Sequence, residues 1–203
     1  ACLEKAREIS DWVGKKGKLP PGQGIGIGCG GFITGAGYPI YRTRLPHAAA
    51  VVKVSEQGDI ATLYIGAVDI GQGSDTILAQ MAAEAIGINY EDMRIVSADT
   101  ETTPHDFGAY ASRQTLMSGH AVKQAGEEVR RQIIELAAEL LEANVADLDI
   151  DRRVIFVKGS PEKMLPFETV ANEFFIRRGP LMGRGSYTPP KLGGKFKGAA
   201  VGT

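Results

Sequence analysis

"VDIGQGSDTILAQMAAEAIG", residues 68–87, is the stretch on which the reading of the chain turns. Its first residues close an apolar strand, Gly71-Gln72-Gly73 makes a turn, and an amphipathic helix follows. The helix is expected from about Ser74 to Ile86, with Ile77, Leu78, Met81, Ala82, Ala85 and Ile86 on one face and Gln80 and Glu84 outside it. Ser74 or Asp75 is expected to cap its first turn, and Gly87 stands where a closing glycine belongs. A glycine-rich turn between strand and helix either redirects the chain or seats an anion. Its amides can converge on an oxygen, and the helix N-terminus adds partial positive charge. The stretch has no P-loop lysine and does not fit G-x-G-x-x-G, so the motif alone leaves both readings open.

Outward from that turn, strands and helices alternate. "AAAVVKVS" (48–55) and "IATLYIGAV" (60–68) read as strands joined by a loop at Glu56–Asp59, and "MRIVSA" (93–98) as the next strand. After a loop over 99–112, a long helix reaches about Leu141, burying Val129, Ile133, Leu136, Ala137 and Leu140. Residues 153–165 read as a hairpin around Gly159-Ser160-Pro161, and Pro166 opens a short helix through Phe174. Upstream, helical spacing covers residues 3–13. In 22–37, glycine at almost every second position suits a strand lying against another backbone or a flat ligand, with Ile25, Ile27 and Phe32 packing on something. The pattern predicts an α/β (α+β) fold with a mixed β-sheet packed against helices. One domain is expected over 1–203, divisible into 22–125 and 126–180, with 181–203 as a Gly/Pro-rich linker.

Composition narrows the function classes. The 203 residues are 43% hydrophobic with a formal net charge of -1, which suits a soluble globular fold. No run of about 18 apolar residues suggests a membrane span, and no secretory leader is visible. Two cysteines, Cys2 and Cys29, make no disulfide framework, so a reducing, cytoplasmic setting is expected, with Cys29 a small core residue. Residues 56–111 carry ten acids and one base, which argues against nucleic acid on that face. An anion bound near residues 71–76 therefore needs directed N–H groups rather than a general positive field. Residues 176–203 carry six bases and no acid, as a linker or an arm over a partner would.

A second stretch, "TTPHDFGAYASRQTLMSGHAV" (102–122), contains small residues at Gly108, Ala109 and Ala111 followed by Ser112, Arg113, Gln114 and Thr115. These hydroxyl, guanidinium and amide groups suit a phosphate or a heterocycle edge, while Arg113 also fits a helix-surface salt bridge. His47, His105 and His120 lack ligand spacing and are read as polar loop or helix residues.

Taken together, "GCGGFITG" (28–35), "VDIGQGSDTILAQMAAEAIGI" (68–88), "EDMRIVSADTETTPHDFGAYASRQT" (91–115) and "GHAV" (119–122) resemble the molybdopterin-binding large subunit of the xanthine dehydrogenase family of molybdenum hydroxylases. Within that family, "DIGQGSDT" and "GAYASR" most resemble the large subunit of 4-hydroxybenzoyl-CoA reductase. The resemblance implies a molybdopterin cytosine dinucleotide carrying molybdenum. Gly71, Gln72 and Gly73 would lie at its pterin and phosphate part, and Ala109, Ala111, Ser112, Arg113 and Gln114 beside the metal and dinucleotide. No protein side chain would ligate the metal directly. Partners implied are iron–sulfur and FAD subunits or domains and the remaining part of the molybdopterin subunit. The family's glutamate general base, set in Gly-Glu-Gly, has no counterpart among these residues, so no catalytic residue is assigned. A partial chain that does not turn over alone is expected, and a non-catalytic cofactor-binding or assembly module is the alternative.

Overall fold

In a computed structural model, residues 1–33, 44–189 and 199–202 are described. The chain forms two units, residues 1–35 with 193–203, and residues 36–192.

In the first unit, the helix expected over 3–13 is two pieces, α1 (Cys2–Ile9) and α2 (Trp12–Lys15). Asp11 separates them at φ 51°, its carboxylate accepting from the Gly14 amide at 3.3 Å. A short polar side chain that bonds its own backbone competes with helix continuation, and here it wins. Strand β1 (Gly30–Ile33) pairs antiparallel with Ala199–Gly202. Of the expected 22–37 strand, residues 30–33 are strand, residues 22–29 are described and form none, and positions 34–37 lie outside the described residues. Cys29, expected in a core, is exposed, because its glycine neighbours offer no side chains to cover it. Ile25 and Ile27 line a groove of about 440 Å³ with Leu3, Ala6 and Trp12. Phe32 lies outside the described side chains.

The second unit is built on a four-stranded mixed sheet. Its strands are β2 (Ala48–Val54), β3 (Ala61–Ile65), β4 (Met93–Ser97) and a last strand, Met182–Tyr187. β2 pairs antiparallel with β3 and with the last strand, while β4 runs parallel to β3. Parallel pairing needs a crossover, supplied by helix α3 (Ser74–Ile86). Alternate residues of β2 and β3, from Ala48 to Val54 and from Ala61 to Ile65, are buried, as period-2 side chains on a covered sheet face must be.

Helix α4 (Gln114–Leu141) crosses this sheet and packs on α3. It matches the long helix expected, with Val129, Ile133, Leu136 and Ala137 fully buried and Leu140 only partly so. α3 departs from its predicted stripe. Ser74, Leu78, Ala79, Ala82, Ala83 and Ile86 are buried, whereas Ile77 is 40% exposed. A helix covered by neighbours on two sides buries small residues that a stripe of bulky ones does not mark.

Three short antiparallel strands follow, β5 (Leu148–Asp151), β6 (Val154–Val157) and β7 (Ser160–Pro166), in the order β5-β6-β7. The hairpin of β6 and β7 was expected; β5 was not. Pro166 caps the next helix, α5 (Phe167–Arg178), from the position before its first turn, and that helix outlasts the predicted end at Phe174.

The last strand, β8 (Met182–Tyr187), falls within 181–203, which composition marks as a linker. Its glycines have a packing reason. A Cβ on Gly183 would lie 2.0 Å from the Ala125 carbonyl oxygen, and one on Gly185 2.0 Å from that of Ala121. The backbone of α4 rests directly on β8, and only glycine leaves room for it. A continuous core, including Val52, Leu63, Ile65, Ile86, Val129, Leu136, Ile155 and Phe167, joins both sheets and the helices of this unit.

Candidate functional site

The turn between β3 and α3 supplies its own anion. The Asp69 carboxylate accepts from the amides of Gly71 at 2.8 Å, Gly73 at 3.4 Å and Asp75 at 3.2 Å. Gly71 and Gly73 sit at φ 99° and 78°, which glycine adopts without strain and which swings these N–H groups toward one point. Hydrogen bonds from the Gly71 amide first, then from Asp75, hold the Asp69 carboxyl below the usual carboxylate range. Asp69 thereby does the capping expected of Ser74 or Asp75. Ser74 is instead a buried first residue of α3, and the Asp75 carboxylate accepts from the Ser97 hydroxyl at 3.1 Å.

Gln72 closes the turn from the other side. Its Oε1 accepts from the Ile70 amide at 2.6 Å, and its Nε2 donates to the Val68 carbonyl at 2.9 Å and the Ser74 hydroxyl at 3.1 Å. The Gly71 and Gly73 amides are committed within the chain, so these glycines shape the turn rather than offer donors outward.

The second stretch folds against this turn. Ile70, Gln72 and residues 109–115 line one hollow of about 310 Å³. Of the residues singled out from sequence, Gln72, Ala109, Ala111, Ser112, Arg113 and Gln114 thus meet at one place, and Gly71 and Gly73 are not among its lining residues. Ala111 and Ser112 are left-handed, at φ 48° and 55°, immediately before α4. That helix has 28 residues, no side-chain cap at its N-terminus and no acid in its first turn. Its first amides therefore lack a side-chain cap, and the positive end of its dipole lies at residues that line the hollow.

Arg113 departs from both sequence readings. Its guanidinium is fully buried, 2.6 Å from Asp106 Oδ1, whose side chain is also fully buried. It further donates to the Gly108 carbonyl at 2.7 Å and to the His47 carbonyl. It is therefore neither a surface salt bridge nor a side chain facing the hollow. Gln114 is buried too. One end of its amide lies 2.6 Å from the Ser118 hydroxyl, and the other has no partner among the described residues.

Sequence reasoning missed Asp69 and Asp106, although a signal was present. "DIG" (69–71) and "DFG" (106–108) each place Asp two residues before a Gly, the spacing of an Asx turn. Asp106 accepts from the Gly108 amide at 2.8 Å just as Asp69 does from Gly71. The histidines are packing residues. His47 is buried against Phe107, with burial and then Arg113 lowering its basicity. His105 and His120 meet Phe107 and Tyr187 edge-on. Among the described residues, no group of three or more His, Cys, Asp or Glu is placed to hold a metal ion. Nor is any helix among them long and apolar enough to cross a membrane.

The hollow thus joins an uncapped helix start to a self-neutralised glycine turn, and comparison with known proteins gives the chain a family. The chain belongs to the molybdopterin cofactor-binding domain family, whose model matches residues 5–202. It is 31% identical over 209 aligned positions to the xanthine dehydrogenase molybdenum-binding subunit of Escherichia coli O157:H7, covering 96% of this chain and 27% of that one. To the 6-hydroxypseudooxynicotine dehydrogenase complex subunit gamma of Paenarthrobacter nicotinovorans it is 33% identical over 168 positions, 82% of this chain and 20% of the other. Its fold superposes on CO dehydrogenase from Oligotropha carboxidovorans with a TM-score of 0.69 at 27% identity, over 93% of this chain and 24% of that chain. The chain thus spans between 20% and 27% of the length of these relatives.

Proposed function

We propose that the hollow between Gln72 and the start of α4 holds the pterin dinucleotide of a molybdenum hydroxylase, and that this chain is the cofactor-holding part of such an enzyme. The observation that carries the reading is the uncapped α4 N-terminus, whose first residues line one hollow with Ile70 and Gln72 and include a Gln114 amide end that is buried with no partner among the described residues. Those donors fit a phosphate or a pterin edge. The Asp69-filled turn does not, so the anionic part of the ligand belongs at α4.

In this arrangement the first amides of α4 and the Ser112 and Thr115 hydroxyls donate to phosphate oxygens. Gln114 donates or accepts at a ring edge, because its amide can present either end. Ala109 and Ala111 leave space, and Ile70 gives an apolar wall that excludes water from one side. Arg113 contributes from behind, through the loop it holds. When bound, the molybdenum group supplies two-electron redox chemistry at a carbon of an aromatic, CoA-thioester, aldehyde or N-heterocyclic substrate. Iron–sulfur and FAD groups on partner subunits or domains would take up the electrons. The wording of "DIGQGSDT" and "GAYASR" favours the 4-hydroxybenzoyl-CoA reductase branch and, with it, the cytosine dinucleotide form of the cofactor.

Molybdenum content and cytidine monophosphate released by acid, measured on the assembled complex, test the reading. Gln114→Glu sets a carboxylate beside the anion seat and is expected to lower both at least tenfold while the far-ultraviolet dichroism stays unchanged. Equal loading of variant and wild type overturns it.

A further inference from the structure

The wall formed by residues 109–112 contains two adjacent non-glycine residues, Ala111 and Ser112, in the left-handed region. L-residues visit that region singly and at a cost, and a consecutive pair persists only where the surroundings over-determine it. What over-determines it here lies behind the wall. Asp106 is tied by a backbone bridge to Ala48, the first residue of β2. Its Oδ1 accepts from Gly108 N at 2.8 Å and from the Arg113 guanidinium at 2.6 Å, and its Oδ2 lies 2.9 Å from the Ser118 hydroxyl on α4. Arg113 in turn reaches the Gly108 carbonyl at 2.7 Å and the His47 carbonyl. One carboxylate and one guanidinium therefore join the start of β2, both sides of the Gly108 residue and the first turns of α4, on either side of the strained pair.

A buried ion pair is a poor source of stability, because desolvation offsets the attraction and an apolar pair of equal volume serves as well. Here the further bonds of the two partners go to the Gly108 amide and carbonyl, the His47 carbonyl and the Ser118 hydroxyl, on both sides of one loop, which is a device for conformation. The planar fork of arginine meets two carbonyls and a carboxylate at once, and a lysine ammonium cannot copy it.

We propose that Asp106 and Arg113 are a positioning pair: their buried contact holds Ala111 and Ser112 left-handed, and so aims Ser112 and the first amides of α4 into the hollow. The inference rests on the reading of the hollow given above, and its test separates the two. Full-length wild type, Asp106→Asn, Arg113→Lys and the double variant Arg113→Lys/Ser112→Gly are compared by backbone NMR, amide exchange and titration with inorganic pyrophosphate.

Both single variants are expected to lose the positive-φ signature at Ala111 and Ser112. Protection at residues 112–116 should fall at least tenfold, with residues 129–137 of α4 unchanged, and pyrophosphate should bind at least tenfold more weakly. Glycine at 112 needs no clamp, so the double variant should recover most of the amide protection that Arg113→Lys loses at residues 113–116, while its affinity stays low because the Ser112 hydroxyl is gone. Retention of the left-handed pair in both single variants overturns the proposal. So does a uniform loss of protection along α4, which marks a merely structural role. If wild type ignores pyrophosphate, the functional reading fails while the backbone signals still decide this one.

Discussion

Asp69 shows how one side chain answers a question that a motif leaves open. The glycine turn does converge its amides on an oxygen, and the oxygen is its own. Because these bonds depress the Asp69 pKa in the folded chain, their contribution is present above the unfolded value of about 4 and is lost as pH falls through the folded value. Amide-exchange protection factors at Gly71, Gly73 and Asp75 should therefore collapse together on acidification, before those in the middle of α3. In Asp69→Ala the same three amides should be unprotected at neutral pH. In Asp69→Asn, which keeps an acceptor, protection should be intermediate. Independent behaviour of the three would mean that Asp69 does not organise the turn.

At the scale of elements, α4 does two jobs: its middle forms the core, and its first turn forms a wall of the hollow. The middle was legible, since Val129, Ile133, Leu136 and Ala137 recur at helical spacing. Its seat on β8 was not. "MGRGSY" reads locally as loop, because two glycines lower strand propensity, and the reason for them lies in a helix more than fifty residues away in sequence. Gly185→Ala tests that seat. The added methyl meets the Ala121 carbonyl, a backbone atom that cannot swing aside, so α4 must lift or β8 must shift. We expect a loss of about 1–3 kcal/mol in urea unfolding, the range for overpacking a tight contact. A neutral result would mean that the helix–strand distance is not fixed.

Across the whole molecule, the class of fold was readable and several of its joints were not. Alternating strands and helices announced a mixed sheet with helices, and the pairing of β3 with β4 across α3 follows from that order. β5 was missed although "LDID" alternates apolar Leu148 and Ile150 with acids, because four residues with two aspartates carry little strand propensity of their own. Arg113 was misread because an arginine in a helix start is ordinarily solvated, and only the fold brings Asp106, Gly108 and His47 around it. Arg153 acts similarly elsewhere: it bonds the Gly58 and Asp59 carbonyls and pairs with Asp92 and Glu168, fastening the β2–β3 loop to α5. Since one core joins both sheets of residues 36–192, a cavity in it should be felt throughout that unit. Leu136→Ala is expected to cost about 2–5 kcal/mol and to move together the unfolding transitions followed by amide exchange in β2–β3 and in β5–β6. Separate transitions would show that the small sheet melts on its own.

The Asp69-filled turn also bears on the order of assembly. A loop whose donors are already satisfied needs no guest to take shape, so newly made chains can form the β3–α3 crossover in plain buffer. On the proposed reading, loading is then a late docking event at the start of α4, and the empty protein should already be folded when its ligand arrives.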